Sequence, residues 1–218
     1  MDITLKILLV IHIISGFLAL LNGCISIAVK KGGKVHRLAG KIFFFSMLGV
    51  TVTALVISIA KNNQFLLLIA IFSFYQTYMG FRAVKDKSLK PSKLDRIVLF
   101  FGALNTFFMI YSMHIVLMIF GGIGLFLVVG NLRVNLLVQR KKNLPQLSWL
   151  KRHIGMMMGS YISTVTAFVV VNSGLFASLH VARWLPWLLP SVTLFPWIVY
   201  FTRKYAAAPL KKRGKTGF

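Results

Sequence analysis

Seven long apolar runs, separated by short polar segments, account for most of the chain. A transmembrane α-helix needs about 20 mostly apolar residues to cross a hydrocarbon core of about 30 Å. The runs approach or exceed this length, so the pattern predicts an all-α fold, a polytopic transmembrane helix bundle with seven spans. The predicted spans cover residues 4–29, 38–60, 64–81, two segments within 97–138, then 149–172 and 185–202.

The fourth and fifth spans share one continuous apolar run, which is long enough for two short helices. Phe120, Gly121 and Gly122 predict the turn between them, because glycines commonly mark turns. This division puts His114 near the C-terminal end of the fourth span. Residues 1–203 then form a single transmembrane domain, and residues 204–218 form a basic tail without apolar periodicity, predicted to be disordered.

The charged residues are mostly cationic, and most of them lie on one side of the predicted membrane spans. The chain has 26 lysines and arginines but only three acids, and 57% of its residues are hydrophobic. With alternating spans, all the cations except Lys6, Lys61 and Arg183 fall on one side of the bilayer. The positive-inside rule therefore predicts an N-terminus outside and a C-terminus inside. We expect anionic lipids at the cytoplasmic face to be the counterions, and no nucleic acid.

Several function classes are excluded by residues that the chain lacks. The seventh span has no lysine for a retinal Schiff base, and no span contains the intramembrane carboxylate that proton or cation transport usually needs. No closely spaced ligand set or phosphate-binding loop occurs, and the only cysteine, Cys24, cannot form an intramolecular disulfide. The sequence therefore predicts no catalytic residue and no metal site, and it leaves open whether the protein is an enzyme.

The sixth span combines a cationic start with a polar stripe. Lys151, Arg152 and His153 precede an apolar run whose polar residues gather on one side of a helix, which should face other helices and not lipid. Small and polar residues on the first and third spans suggest that these helices share the same packing seam. The members of this predicted polar seam are Asn22, Tyr75, Gln76, Tyr161, Thr164 and Asn172.

The five histidines fall into two layers in this topology. His36 and His153 lie at the cytoplasmic ends of their spans, and His12, His114 and His180 lie in or just beyond the outer half. A membrane cytochrome of the b type needs such stacked imidazoles, because each haem iron takes one from each of two facing helices. The simpler interpretation is that these histidines are interfacial or packed polar residues. The sequence alone leaves both interpretations open.

Arg133 is a single charge within the inner third of the fifth span. Its long side chain can snorkel to the inner headgroups. Alternatively, it binds an anion such as a propionate, phosphate or carboxylate, which would supply the missing negative partner.

Four segments resemble a family of bacterial predicted membrane proteins that contain a domain of unknown function. They are HIISGFLALLNG from His12, KVHRLAGKIF from Lys34, FSFYQTYMGFRAV from Phe72 and KRHIGMMMGSYISTVTAF from Lys151. The resemblance implies a helical bundle in the bacterial cytoplasmic (inner) membrane and no established activity. After the histidine of the sixth span the family usually has bulkier and more basic residues.

Two functional hypotheses follow. The first is a non-enzymatic transport, lipid-binding or small-ligand-binding membrane protein that uses the polar seam. The second is a haem b-binding transmembrane electron carrier that uses paired histidines.

Overall fold

The computed structural model describes residues 3–174 and 182–206, and this part of the chain forms seven long helices with no strand. All seven are long and apolar enough to cross a membrane, which confirms the predicted all-α, seven-span fold. The last helix continues into a π-helical turn, Thr202–Ala206. The helices are α1 Ile3–Ala28, α2 Lys34–Ala60, α3 Gln64–Lys85, α4 Lys93–Tyr111, α5 Ile115–Gln139, α6 Ser148–Val171 and α7 Leu185–Phe201.

The predicted turn near Phe120, Gly121 and Gly122 is wrong, because α5 runs straight through these residues. The chain turns earlier, at 112–114, where Met113 has a φ of 53° and His114 is the N-cap of α5. His114 therefore does not belong to the fourth span. Gly121 serves a different purpose: a Cβ there would lie 2.7 Å from the Ile110 side chain and 3.1 Å from its backbone nitrogen. The glycine allows α4 and α5 to pack closely.

Four helices form a closed arrangement, which we call the four-helix ring. α1 packs on α2, α2 on α3, α3 on α6, and α6 makes a smaller contact back to α1. α4 packs on the outside of α3 and against α5, and α7 packs on α6. α2 and α6 therefore face each other diagonally, and the aromatic rings of Phe43 and Tyr161 meet there, with their centroids 6.2 Å apart.

Because the helices alternate in direction, the C-termini of α1, α3, α5 and α7 lie at the same end as the N-termini of α2, α4 and α6. The segments at this end carry most of the lysines and arginines, and we call it the cationic end.

Apolar side chains cover both the interior and the outside of the bundle. Ala19, Phe43 and Met47 are buried within the four-helix ring. Many large hydrophobic side chains are exposed, and Phe126 reaches 78% exposure. Such a surface would be unfavourable in water but suits lipid, because the hydrocarbon core is as apolar as the side chains themselves.

Candidate functional site

Two histidines at the cationic end share the same hydrogen-bond arrangement. His36 Nδ1 lies 3.0 Å from the Ser26 carbonyl oxygen, and His153 Nδ1 lies 3.0 Å from the Gly80 carbonyl oxygen. A carbonyl oxygen only accepts, so Nδ1 donates in both residues. In the neutral imidazole Nε2 then carries a lone pair, which is the arrangement by which histidine binds a metal.

The four-helix ring places His36 and His153 at the same end of the bundle. They lie on the diagonal helices α2 and α6, within the range at which a charge on one would act on the other. Their carbonyl partners belong to the other two helices, Ser26 to α1 and Gly80 to α3. All four helices of the ring therefore orient this pair, which we call the histidine layer.

Lys31 lies beside the histidine layer, just beyond the end of α1. Its Nζ donates to the carbonyl oxygens of Ser26, Ile27 and Val29, and it lies 4.6 Å from the centre of the Phe201 ring. Burial, and then the nearby charge of Lys204, lower the pKa of Lys31. The lysine therefore joins the end of α1 to the end of α7.

The other three histidines have different surroundings. His12 Nδ1 lies 3.0 Å from Thr53 Oγ1 and 3.2 Å from the Val50 carbonyl oxygen, between α1 and α2. His114 is exposed and packs edge-on against Phe65, with 5.0 Å between ring centres. His180 lies outside the described residues. The outer layer of histidines as a haem site therefore stays a prediction.

Part of the predicted polar seam lies between α3 and α6. The Thr77 and Ser160 hydroxyl oxygens are 2.6 Å apart and buried, and the Gln76 side chain lies directly against Gly159. Thr164 donates within α6 to the Ser160 carbonyl oxygen.

The remaining seam residues have other partners. The amides of Asn22 and Asn172 donate to carbonyl oxygens of their own helices, those of Leu18 and Phe168. Tyr161 packs against Gly23 and Phe43. Tyr75 is buried but belongs to a different cluster, described next.

A second polar cluster lies at the cationic end between α3, α4, α5 and α6. The buried Asp95 carboxylate accepts hydrogen bonds from the Tyr78 hydroxyl (2.7 Å), Arg82 Nε (3.1 Å) and the Ser92 backbone N–H (2.8 Å). Ser92 Oγ in turn accepts from the Asp95 N–H, which completes a capping box at the start of α4. Asp95 thus joins α3 to the first turn of α4.

Arg82 also contacts a second carboxylate, because its Nη2 lies 3.3 Å from Asp86 Oδ2. Hydrogen bonds from Ser88 lower the pKa of Asp86, and the hydrogen bond and charge of Arg82 lower it to a smaller extent. Partial burial of the carboxylate acts in the opposite direction. Arg82 therefore bonds both nearby carboxylates, those of Asp86 and Asp95.

Arg152 has no carboxylate bonded to it among the described residues, although the charge of Asp95 acts on it from a distance. Its Nη2 nitrogen is buried and has no hydrogen-bond partner in the part of the chain that the structure describes. It lines a small cavity together with Arg82, Lys90, Asn131 and Asn135, among others. The Asn131 amide donates to the hydroxyl of Tyr75, which interacts electrostatically with Arg152.

Arg133 and Arg152 therefore have different environments. The Arg133 side chain is exposed on α5, as a snorkelling residue would be. Sequence reasoning noticed Arg152 only as part of a cationic helix start. The signal that could have found it is the set of uncharged polar residues at the same depth, Tyr75, Asn131 and Asn135.

Comparison with known proteins finds one family model that matches part of the chain, and no activity. Residues 9–93 match a family described as "Predicted membrane protein (DUF2306)", a domain of unknown function. No curated protein and no solved structure matches the chain. The matched residues contain three of the four resembling segments, on α1, α2 and α3, and the segment on α6 lies beyond them.

Proposed function

We propose that this multi-pass membrane protein is a non-enzymatic, small-ligand-binding protein of the bacterial inner membrane, and that its ligand binds at the histidine layer. The observation that carries the proposal is that His36 and His153, at the same end of the diagonal helices α2 and α6, are each held through Nδ1 by a backbone carbonyl group. Two Nε2 lone pairs then remain for an electron-pair acceptor, which is the chemistry of a metal centre.

The second candidate, a haem b-binding electron carrier, has a specific observation in its favour. No group of three or more histidines, cysteines or acids within the described ranges can hold a metal ion. A bare ion bound by only two imidazoles would have fewer protein ligands than metal sites in proteins usually provide. Haem supplies four equatorial ligands itself, so two imidazoles complete its iron. The histidine layer therefore suits haem better than a free metal ion.

Absorption spectroscopy tests both forms of the proposal. Protein purified from haem-sufficient cells, oxidised and then reduced with dithionite, is expected to show a Soret band that moves on reduction. His36→Ala and His153→Ala should each lower the bound haem per protein about tenfold or more, because each removes one of the two imidazoles that would hold the iron. His114→Ala is the comparison at the opposite end of the bundle, and it should leave haem at the histidine layer in place.

The alternative outcomes separate the candidates. A colourless, folded wild type that contains metal, and loses it in the two alanine variants, would exclude haem and retain the ligand-binding proposal. A wild type with neither haem nor metal would contradict the histidine layer as a ligand site and leave transport or lipid binding through the polar seam.

The orientation proposed for this membrane protein, with the N-terminus outside, has its own test. Lys87, Lys142 and Asn62 are exposed loop residues, the first two at the cationic end and the third at the opposite end. In a Cys24→Ser background, Asn62→Cys should react with an impermeant thiol reagent in intact cells. Lys87→Cys and Lys142→Cys should react only after permeabilisation, because cationic loops remain in the cytoplasm. Labelling of Lys142→Cys in intact cells would contradict this orientation.

A further inference from the structure

We propose that Arg152 forms a second ligand site, which binds the oxyanion of a phosphate group. The site is the cavity at the cationic end among α3, α4, α5 and α6. It is separate from the histidine layer, because neither His36 nor His153 lines it and its lining residues lie mainly on α3, α5 and the loop at 86–92.

The first argument is charge. Around the cavity lie three cationic side chains, Arg82, Lys90 and Arg152, and two carboxylates. Both carboxylates are already bonded to Arg82, whereas Arg152 Nη2 is buried without a hydrogen-bond partner within the described residues. Burying one nitrogen of a guanidinium group without a hydrogen-bond partner is costly, and an incoming anion would remove this cost.

The second argument is the excess of donors near Arg152. Tyr75 accepts a hydrogen bond from Asn131, so the phenolic hydrogen of Tyr75 is left for another acceptor. Asn135 lies one helical turn further along α5 and lines the same cavity. A guanidinium group with neutral amide and hydroxyl donors around it matches the several acceptor oxygens of a phosphate group.

The third argument is size and position. The cavity has a volume of about 10 Å³, which holds about one water-sized group. One oxygen of a tetrahedral oxyanion fits this space, while the rest of the group stays toward the loop at 86–92. In the proposed orientation the cationic end lies at the cytoplasmic surface of the bilayer, where lipid phosphates are found, so the phosphate group can come from a phospholipid headgroup or from free inorganic phosphate.

The test compares two arginine variants of the delipidated, purified protein. Arg152→Gln removes the buried charge, and Arg133→Gln is the matched control that removes an exposed charge near the same end. The melting temperature is measured with inorganic phosphate, in nanodiscs of phosphatidylcholine alone, and in nanodiscs that also contain phosphatidylglycerol. Wild type and Arg133→Gln should be stabilised by a phosphate source, and Arg152→Gln should bind it about 10- to 100-fold more weakly.

The three conditions of this experiment distinguish a free anion from a lipid headgroup as the source of the phosphate group, and their results can overturn the proposal. Stabilisation by inorganic phosphate identifies a free anion, and stabilisation that appears with either lipid but not with inorganic phosphate identifies a headgroup. If no source stabilises wild type, or if Arg152→Gln responds equally, the cavity holds only water and the proposal fails. Any haem or metal at the histidine layer should be unchanged in Arg152→Gln, so the two sites fail independently.

A second variant covers the case in which Arg152→Gln does not fold. Asn135→Leu keeps every charge but places an apolar side chain in the cavity, and it should also bind phosphate about tenfold or more weakly. Native mass spectrometry of wild type, purified gently, should show a retained phospholipid if the source is a headgroup. Wild-type phosphate binding in Asn135→Leu would contradict the proposed site.

Discussion

Replacing Asp95 with alanine is expected to lower the free energy of unfolding by about 2–4 kcal/mol. The substitution removes the acceptor of hydrogen bonds from Tyr78, Arg82 and the Ser92 backbone, and it also removes half of the capping box of α4. Arg82 would then lose its buried partner and be left near Arg152, so that two guanidinium groups repel each other. Chemical denaturation in detergent micelles measures the effect.

Asp86→Ala is the matched control, because this carboxylate also contacts Arg82 but is considerably more exposed. Its loss should cost less than about 1 kcal/mol, as is usual for an exposed ion pair. Equal effects of the two substitutions would show that the capping box and the Tyr78 hydrogen bond contribute little.

The second large effect is expected at Gly121, where alanine should destabilise the protein by about 1–3 kcal/mol. The added Cβ would lie 2.7 Å from Ile110 Cγ1 and 3.1 Å from the Ile110 backbone nitrogen. A side-chain atom can rotate away, but the backbone of α4 cannot move without separating the two helices. The same denaturation experiment reports the loss.

Gly122→Ala provides a control one residue away, since a Cβ at Gly122 meets nothing within 4 Å. This substitution should leave stability unchanged or raise it by up to about 1 kcal/mol, because alanine favours a helix more than glycine does. If Gly121→Ala were as stable as Gly122→Ala, the close contact of α4 with α5 would not matter for the fold.

The seven helices could be predicted because apolar length is a property of each segment alone. The position of the turn before α5 could not be predicted, because a pair of glycines in a sequence is compatible with a turn and also with a close contact between helices. Gly121 and Gly122 are such a pair. What separates these two possibilities is Ile110 on the neighbouring helix, which only the packed structure brings near Gly121. The actual turn at 112–114 contains no glycine, so its local signal is weak.

For the candidate sites, too, features of a single segment could be predicted, and features that depend on neighbouring helices could not. His36 and His153 could be assigned to one level, since both lie near the cationic starts of their spans. Their orientation by the Ser26 and Gly80 carbonyl groups could not, because it depends on which helices are neighbours. Arg133 attracted attention through its depth in a span, whereas what distinguishes Arg152 is the lack of a bonded partner, which is a tertiary property.

The order of helices in the four-helix ring has a consequence for biosynthesis. α6 closes the ring but is made after α4 and α5, so α3 must wait for its partner while 86 further residues, from 86 to 171, are translated. At about 5–20 residues per second this delay is on the order of ten seconds. During that time Gln76 and Thr77 lack the α6 contacts that they have in the finished protein. Thr77 can meanwhile donate to the Ser73 carbonyl oxygen of its own helix, so Gln76 is the side chain that gains most when α6 is inserted.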